Sequence, residues 1–179
     1  MKLILDLCGG TGAWSKPYSE AGYHVINVTL PWHDVRSYTP PAQVYGILAA
    51  PPCTDFSIAC GQYWHEKDYN GQTLSSVSII LACLRIIAIS QPTFWCLENP
   101  VGRLKKWMGK PRTIYQPYEY GDPYTKRTCL WGIFNIPARV PVAITMPHYI
   151  SDMPHTKNRP EKRAITPAGF ARAFYEANQ

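Results

Sequence analysis

The sequence predicts an α/β fold with a mostly parallel sheet and helices on its faces. Four apolar stretches rich in β-branched residues indicate strands at residues 2–7, 23–29, 44–49 and 93–97. Helical stretches at 13–21 and 73–90 lie between the first and second of these strands and between the third and fourth. This alternation is typical of β-α-β units, in which a helix covers the sheet while joining two parallel strands.

Beyond residue 100 the pattern of predicted elements changes. Three further elements are predicted there, a short basic helix at 101–108 and strands at 112–118 and 127–134. A loop rich in proline, histidine and basic residues follows, from about 137 to 163. The last predicted helix runs to Glu176, with Thr166 as its N-cap and Pro167 in its first turn.

Composition indicates one globular domain, because 46% of the 179 residues are apolar and 17% are charged. The longest apolar run, 79–89, is interrupted by Arg85 and is too short to span a bilayer, and no signal peptide is visible. The six cysteines form no C-x-x-C pair, and His148 and His155 are too far apart for a compact metal site. We therefore expect no metal, no membrane span and a reducing, cytoplasmic location.

Positive charge is concentrated in the second half of the chain. The net charge is +6, with a balance of −2 over residues 1–100 and +8 over residues 101–179. Tyrosines and a tryptophan are interleaved with the basic residues between 103 and 127, as in surfaces that stack on nucleic-acid bases. A polyanion partner and a merely solvated basic face both fit this composition.

Three chemically interesting segments follow predicted strands. A glycine-rich turn follows the first strand, Cys53 lies after two prolines beyond the third, and Glu98 ends the fourth. Ligand sites in parallel α/β sheets lie beyond the carboxyl ends of the strands, so these segments should meet at one edge. Each alone also fits an ordinary turn, a buried thiol or a surface carboxylate, and their convergence favours a site.

Five ordered motifs run through nearly the whole chain: DLCGGTG (6–12), AAPPCTDFS (49–57), CLENP (96–100), YGDPYTKRTCLWG (120–132) and ITPAGFARAF (165–174). Together they resemble the C5-cytosine DNA methyltransferase family, in particular its short, phage-type members. The resemblance implies a single Rossmann-like class I S-adenosylmethionine-dependent methyltransferase domain over residues 1–179, with helices on both faces of the sheet. It implies cofactor and catalytic motifs in 1–100, a basic substrate-binding region with a reduced recognition loop in 101–165, and a C-terminal helix in 166–179 that closes the cofactor site.

The resemblance also implies catalytic roles. Cys53 matches the nucleophile that adds to C6 of cytosine, and Glu98 matches the acid that binds the N3 edge of the base. Lys126 and Arg127 match a motif that supports the substrate and the catalytic loop. This chemistry requires a thiolate, so the pKa of Cys53 should fall below about 8.5, and Glu98 should hold a proton near neutral pH.

The implied cofactor is S-adenosyl-L-methionine. The matching positions are Asp6, Leu7, Cys8, Gly9, Gly10, Thr11, Gly12, Thr29, Asp34, Val35, Pro51, Thr166 and Phe170. Two of these depart from the family pattern, because Cys8 replaces an aromatic residue and Thr29 stands near the place of an acid that binds the ribose. Trp32 is close enough in sequence to compensate for Thr29.

The implied substrate is a flipped or single-stranded cytosine in DNA, because attack on C6 needs the base outside a stacked duplex. Only residues 133–164 stand where related enzymes carry a recognition domain, so we expect little sequence preference, and a separate specificity protein stays open as a partner. Alternatives are methylation of RNA or a free cytosine nucleotide, and a non-catalytic protein that binds cofactor or DNA. An amino-methyltransferase is disfavoured, since Cys53 stands where that class has an aromatic residue. The implied location is the cytoplasm of a bacterial or phage-infected cell.

Overall fold

The computed structural model describes residues 1–154 and 156–179, so His155, weighed above as a metal ligand, lies outside the described residues. The strands are Leu3–Leu7 (β1), His24–Val28 (β2), Val44–Ala49 (β3), Phe94–Pro100 (β4), Thr113–Tyr115 (β5) and Thr128–Ile133 (β6). The α-helices are Lys16–Glu20 (α1), Trp64–Tyr69 (α2), Gln72–Ser90 (α3), Lys105–Met108 (α4), Tyr149–Asp152 (α5), Arg159–Ala164 (α6) and Ala168–Ala177 (α7). Two 3-10 helices span Ile58–Tyr63 and Pro117–Tyr120.

The described strands form one six-stranded sheet in the order β2-β1-β3-β4-β6-β5. The first four strands are parallel to one another, whereas β6 is antiparallel to both of its neighbours, β4 and β5. It follows that β5 points in the same direction as β1 to β4, and that β6 is the single reversed strand among those described. The α/β prediction is confirmed, and the sheet is mixed, with five strands in one direction.

Two apolar layers cover the two faces of the sheet. Successive side chains of a strand point to opposite faces, and β1 shows this directly. Leu5 packs in the layer that contains the buried residues of α3. Ile4 packs in the other layer, with Tyr18 of α1 and Phe174 of α7. The predicted placement of helices on both faces is therefore confirmed.

Helix α3 is the longest helix of the described chain, at 19 residues, and contains the whole apolar run predicted at 79–89. By length and composition it could cross a membrane, with a mean hydropathy of 2.0. A third of that window is buried inside the protein. Ile80, Cys83 and Ile86 of this helix belong to the core layer that covers β1 and β3, so α3 packs as a core helix in this structure.

Several predicted boundaries are wrong. The predicted strand 112–118 ends at Tyr115, because Gln116 caps a 3-10 helix in which Glu119 bonds back to the Gln116 amide at 2.7 Å. Helix α2 and both 3-10 helices lie in stretches to which no helix was assigned. Helices α5 and α6 interrupt the predicted loop at 137–163.

The start of α7 also differs from the prediction. Its N-cap is Pro167 rather than Thr166, since the amide of Ala171 donates to the Pro167 carbonyl at 2.9 Å. The side chain of Pro167 forms no capping hydrogen bond. Instead the Gly169 amide donates to Asp122 Oδ2 at 2.9 Å, so an acid from a distant segment replaces the expected local cap.

Candidate functional site

A cleft of about 380 Å³ lies at the carboxyl edge of the parallel strands. Its walls come from the turn after β1, the loop after β3, the end of β4, the approach to β6 and the segment that contains α6. The lining residues are Asp6, Cys8, Gly9, Gly10, Thr11, Ala13, Trp14, Thr29, Leu30, Ala50, Pro51, Pro52, Cys53, Glu98, Pro100, Lys126, Glu161, Arg163, Ala164, Ile165 and Thr166. The glycine turn, Cys53 and Glu98 thus meet at one edge of the sheet, as their positions in the sequence indicated.

The glycine-rich turn is built around the buried carboxylate of Asp6. Ser15 Oγ donates to Asp6 Oδ2 at 2.6 Å, while Asp6 Oδ1 has no hydrogen-bond partner among the described residues. Burial raises the pKa of Asp6 to about 6, and the Ser15 hydrogen bond opposes that rise. A side chain at Gly9 would come within 2.3 Å of the Asp6 carboxyl group, so glycine is required for this close approach.

Cys8 occupies a left-handed backbone conformation in the same turn, with φ of 57°. It packs against the core layer that contains Cys83. A hydrogen bond with Cys8, followed by burial, raises the pKa of the Cys83 thiol. All six cysteines are free thiols.

The loop that presents Cys53 follows β3 and turns tightly. The Cys53 carbonyl accepts hydrogen bonds from the amides of Phe56 at 3.0 Å and Ser57 at 2.9 Å. The thiol is partly buried, and burial is the main cause that raises its pKa, with a further contribution from Glu98. Lys126 and Arg163 act in the opposite direction. The pKa of Cys53 is therefore raised and not lowered as expected, because burial and Glu98 disfavour the thiolate more than Lys126 and Arg163 favour it.

Glu98 lies on β4 opposite Leu130 of β6 and lines the cleft. Burial raises the pKa of its carboxyl group, and Lys126 partly offsets the rise. This direction agrees with a carboxyl group that holds a proton close to neutral pH. The next residue, Asn99, is fully buried and donates from Nδ2 to the Pro51 carbonyl at 3.1 Å, which ties β4 to the loop that presents Cys53.

Lys126 and Arg127 have different surroundings. Lys126 lines the cleft, with its amide bound to Gln116 Oε1 at 2.9 Å and its Nζ donating to the Ile165 carbonyl at 3.4 Å. Arg127 is exposed and does not line the cleft, although its carbonyl accepts a hydrogen bond from Val101. The structure therefore brings only Lys126 next to Cys53 and Glu98.

Five of the predicted cofactor positions do not line the cleft, namely Leu7, Gly12, Asp34, Val35 and Phe170. Leu7 and Val35 are core residues. Phe170 is also buried, and its ring stacks on Tyr115 at a centroid distance of 3.8 Å. Asp34 is paired with Arg36, which lowers the Asp34 pKa to about 2.

Several lining residues were not found from the sequence. Glu161, Arg163 and Ala164 reach the cleft through α6, which begins in the stretch predicted as loop, and Ile165, the first residue of the last motif, follows directly. The only sequence feature that pointed to them was the basic run immediately before the last motif. Within the described residues, no group of three His, Cys, Asp or Glu side chains is placed to hold a metal ion.

Comparisons with known proteins give distant structural similarity alone. No protein-family model and no curated protein sequence matches the chain. One similar solved structure is a protein assigned as a DNA modification methyltransferase encoded within a prophage of E. coli, with TM-score 0.48 and 18% identity over 87% of this chain. Another is the Entamoeba histolytica methyltransferase EhMeth, with TM-score 0.48 and 12% identity over 74% of this chain. The chain covers 56% and 53% of the lengths of those two proteins.

The cleft has features that fit S-adenosylmethionine. Asp6 Oδ1 is buried without a partner beside Gly9 and Gly10, where it could accept a hydrogen bond from a cationic group of the cofactor. Gly9 and Gly10 line the cleft, and a side chain at Gly9 would collide with the Asp6 carboxyl group. A volume of about 380 Å³ lies within the ordinary range of about 300–1,000 Å³ for small-molecule sites.

Proposed function

We propose that the chain is an S-adenosylmethionine-dependent methyltransferase that methylates C5 of cytosine in DNA through a covalent bond to Cys53. The observation that carries this proposal is the presence of Cys53, Glu98 and the glycine-rich turn in the walls of one cleft. The turn and Asp6 would hold the cofactor on the side of β1. Cys53 and Glu98 would hold the base on the side of β3 and β4.

The reaction begins when Cys53 Sγ forms a bond to C6 of cytosine and its thiol proton is lost. Glu98 gives a proton to N3, so the ring gains electron density at C5 without a lasting negative charge. S-adenosylmethionine, when bound, supplies the methyl group that C5 takes up. Release of the C5 proton to water and of the Cys53 thiolate from C6 then restores the double bond between C5 and C6, and the proton on N3 returns to Glu98.

The structure supports these residue roles through electrostatics. Lys126 lines the cleft and favours the anionic form of Cys53, which helps a thiol whose pKa is raised by burial. The raised pKa of Glu98 suits a proton donor at neutral pH. Arg163 also favours the Cys53 thiolate and would add positive charge near a substrate phosphate.

Trapping with 5-fluorocytosine tests the covalent step. Fluorine at C5 cannot leave as a proton does, so DNA that contains this base should form a stable adduct when S-adenosylmethionine is present. We expect an adduct with the wild-type protein and with Cys60→Ala, which removes a nearby thiol outside the cleft. Cys53→Ala should form none. An adduct that persists in Cys53→Ala would contradict the proposed nucleophile.

Transfer of labelled methyl groups tests the substrate. Single-stranded DNA, duplex DNA, RNA and a free cytosine nucleotide should be compared under the same conditions. We expect the highest rate with DNA, and bisulfite sequencing should place the modification at cytosine. Faster transfer to RNA or to the free nucleotide would favour those substrates instead. Cofactor binding without transfer to any of the four would favour a non-catalytic binding protein.

A further inference from the structure

A buried polar network lies behind the Cys53 loop, outside the cleft. Arg103, Asp55 and Thr73 are 4%, 2% and 6% exposed, respectively. Burying charged groups is costly unless each finds partners, so a cluster of this kind calls for an explanation. None of the three lines the cleft, and the reaction proposed above does not use them.

The Arg103 guanidinium group is bonded on every nitrogen. Nε donates to the Asp55 carbonyl at 2.8 Å, Nη1 donates to both carboxylate oxygens of Asp68 at 2.8 and 2.9 Å, and Nη2 donates to Thr73 Oγ1 at 2.6 Å. The group also lies 4.9 Å from the ring centroid of Trp64. Arginine alone offers this planar set of donors, and a lysine could not reach three acceptors in these directions.

These contacts hold the loop that carries Cys53. The Arg103 amide donates to the Phe56 carbonyl at 2.8 Å, so main chain and side chain together bind two consecutive carbonyls of the loop. The amides of Phe56 and Ser57 in turn donate to the Cys53 carbonyl. Two hydrogen-bond steps therefore connect Arg103 to the backbone of Cys53.

The same arginine is linked to Glu98 along the chain. Arg103 follows β4 by three residues, and Gly102 passes so close to Phe56 that a side chain there would lie 1.9 Å from the Phe56 carbonyl oxygen. Asn99 holds the Pro51 end of the loop in a similar way. The chain around the end of β4 therefore contacts the Cys53 loop at two points, at Pro51 through Asn99 and at Phe56 through Gly102 and Arg103.

We propose that Arg103 is a positioning residue that fixes the Cys53 thiol relative to Glu98, an inference that rests on the proposed function of this cleft. Asp68 and Thr73 orient the guanidinium group, and the guanidinium group orients the loop. A displacement of the nucleophile by about 1 Å can lower a rate by about 100-fold, so a residue that touches no substrate can control turnover.

The test compares alkylation of the Cys53 peptide, followed by mass spectrometry because Cys8 is also partly exposed, with methyl transfer in Arg103→Gln, in a Cys60→Ser background that removes a third partly exposed thiol. Release of the loop should expose Cys53 and relieve its burial. We expect alkylation by iodoacetamide at pH 7.5 to become about tenfold faster, because relief of burial lowers the Cys53 pKa and raises the fraction of thiolate. We expect kcat for methyl transfer to fall about 100-fold, with the cofactor Kd unchanged within about twofold.

Three further variants keep the test decisive. Arg103→Lys should behave like Arg103→Gln, because the directional contacts are lost in both. Asp68→Asn is the substitute if those proteins do not fold, since the Asp68 side chain is 55% exposed and its change leaves the core intact. Arg139→Gln is the matched control, because Arg139 pairs with Glu119 away from the cleft and should leave both measurements unchanged.

The outcomes separate this inference from the proposed function. A folded Arg103→Gln protein whose alkylation rate equals that of the wild type would overturn the positioning role, whether or not the protein methylates DNA. Faster alkylation of Cys53 in a protein whose wild type transfers no methyl group would support the positioning role and contradict the proposed enzyme. Loss of kcat that is matched in Arg139→Gln would also overturn the inference.

Discussion

Replacement of Asp6 by asparagine should stabilise the protein while it weakens cofactor binding. The Asp6 carboxyl group is fully buried, and its pKa rises from an ordinary value of 3.8 to about 6. A shift of one unit corresponds to about 1.4 kcal/mol, so the ionised form costs the folded state about 3 kcal/mol at pH 7. Because the folded state binds the proton more tightly, the contribution of Asp6 to stability is greatest below pH 4 and is lost as pH rises through 6.

Urea unfolding of wild type and Asp6→Asn between pH 4 and pH 7.5 measures this cost. We expect the free energy of unfolding of the variant, relative to that of the wild type, to rise by about 2–3 kcal/mol between pH 4 and pH 7.5. Changes in hydrogen bonds with Ser15 add a constant that cancels across pH. A difference that does not vary with pH would refute the reasoning. Thermal stabilisation by S-adenosylmethionine should be lost in the variant, since asparagine carries no negative charge and replaces one of the two acceptor oxygens of Asp6 with an amide nitrogen that can only donate.

Two further predictions concern the packing of the Cys53 loop and the electrostatics of the cleft. Gly102→Ala should lower the free energy of unfolding by about 3 kcal/mol, since its side chain would collide with the Phe56 carbonyl, whereas Gly61→Ala meets open space and should change little. Urea titration measures both, and equal stabilities would contradict the prediction. Lys126→Gln should move the pH profile of Cys53 alkylation to higher pH, because Lys126 lowers the pKa of that thiol. An unchanged profile or a shift to lower pH would contradict the electrostatic effect of Lys126 on the Cys53 thiol.

Much of the fold and part of the site could be predicted from local sequence patterns. Apolar runs rich in β-branched residues predicted β1 to β4. The rule that ligand sites lie at the carboxyl edge of parallel strands predicted that Asp6, Cys53 and Glu98 lie near one another. Both predictions need only the residues of one strand and of the loop that directly follows it. Local patterns carry that information well.

The features that were missed depend on distant contacts. The cap of α7 comes from Asp122, and the arginine that holds the Cys53 loop finds its partners on α2 and α3. No periodicity in the sequence records such pairs. The raised pKa of Cys53 was missed for the same reason, since burial of a thiol is a property of the packed structure.

The chain enters the segment that contains α6 after Pro147 and leaves it at Ile165, and both of these residues are hydrogen-bonded to neighbouring residues before β6. Thr125 Oγ1 donates to the Pro147 carbonyl at 3.1 Å, and Lys126 Nζ donates to the Ile165 carbonyl at 3.4 Å. Two neighbouring residues therefore hold the chain at Pro147 and again at Ile165. Closing a longer loop between two such points costs little, about 0.6 kcal/mol for each doubling of its length. The chain could thus gain material just after Pro147 with little effect on the sheet, whereas Arg163 and its neighbours line the cleft and are tied to its chemistry.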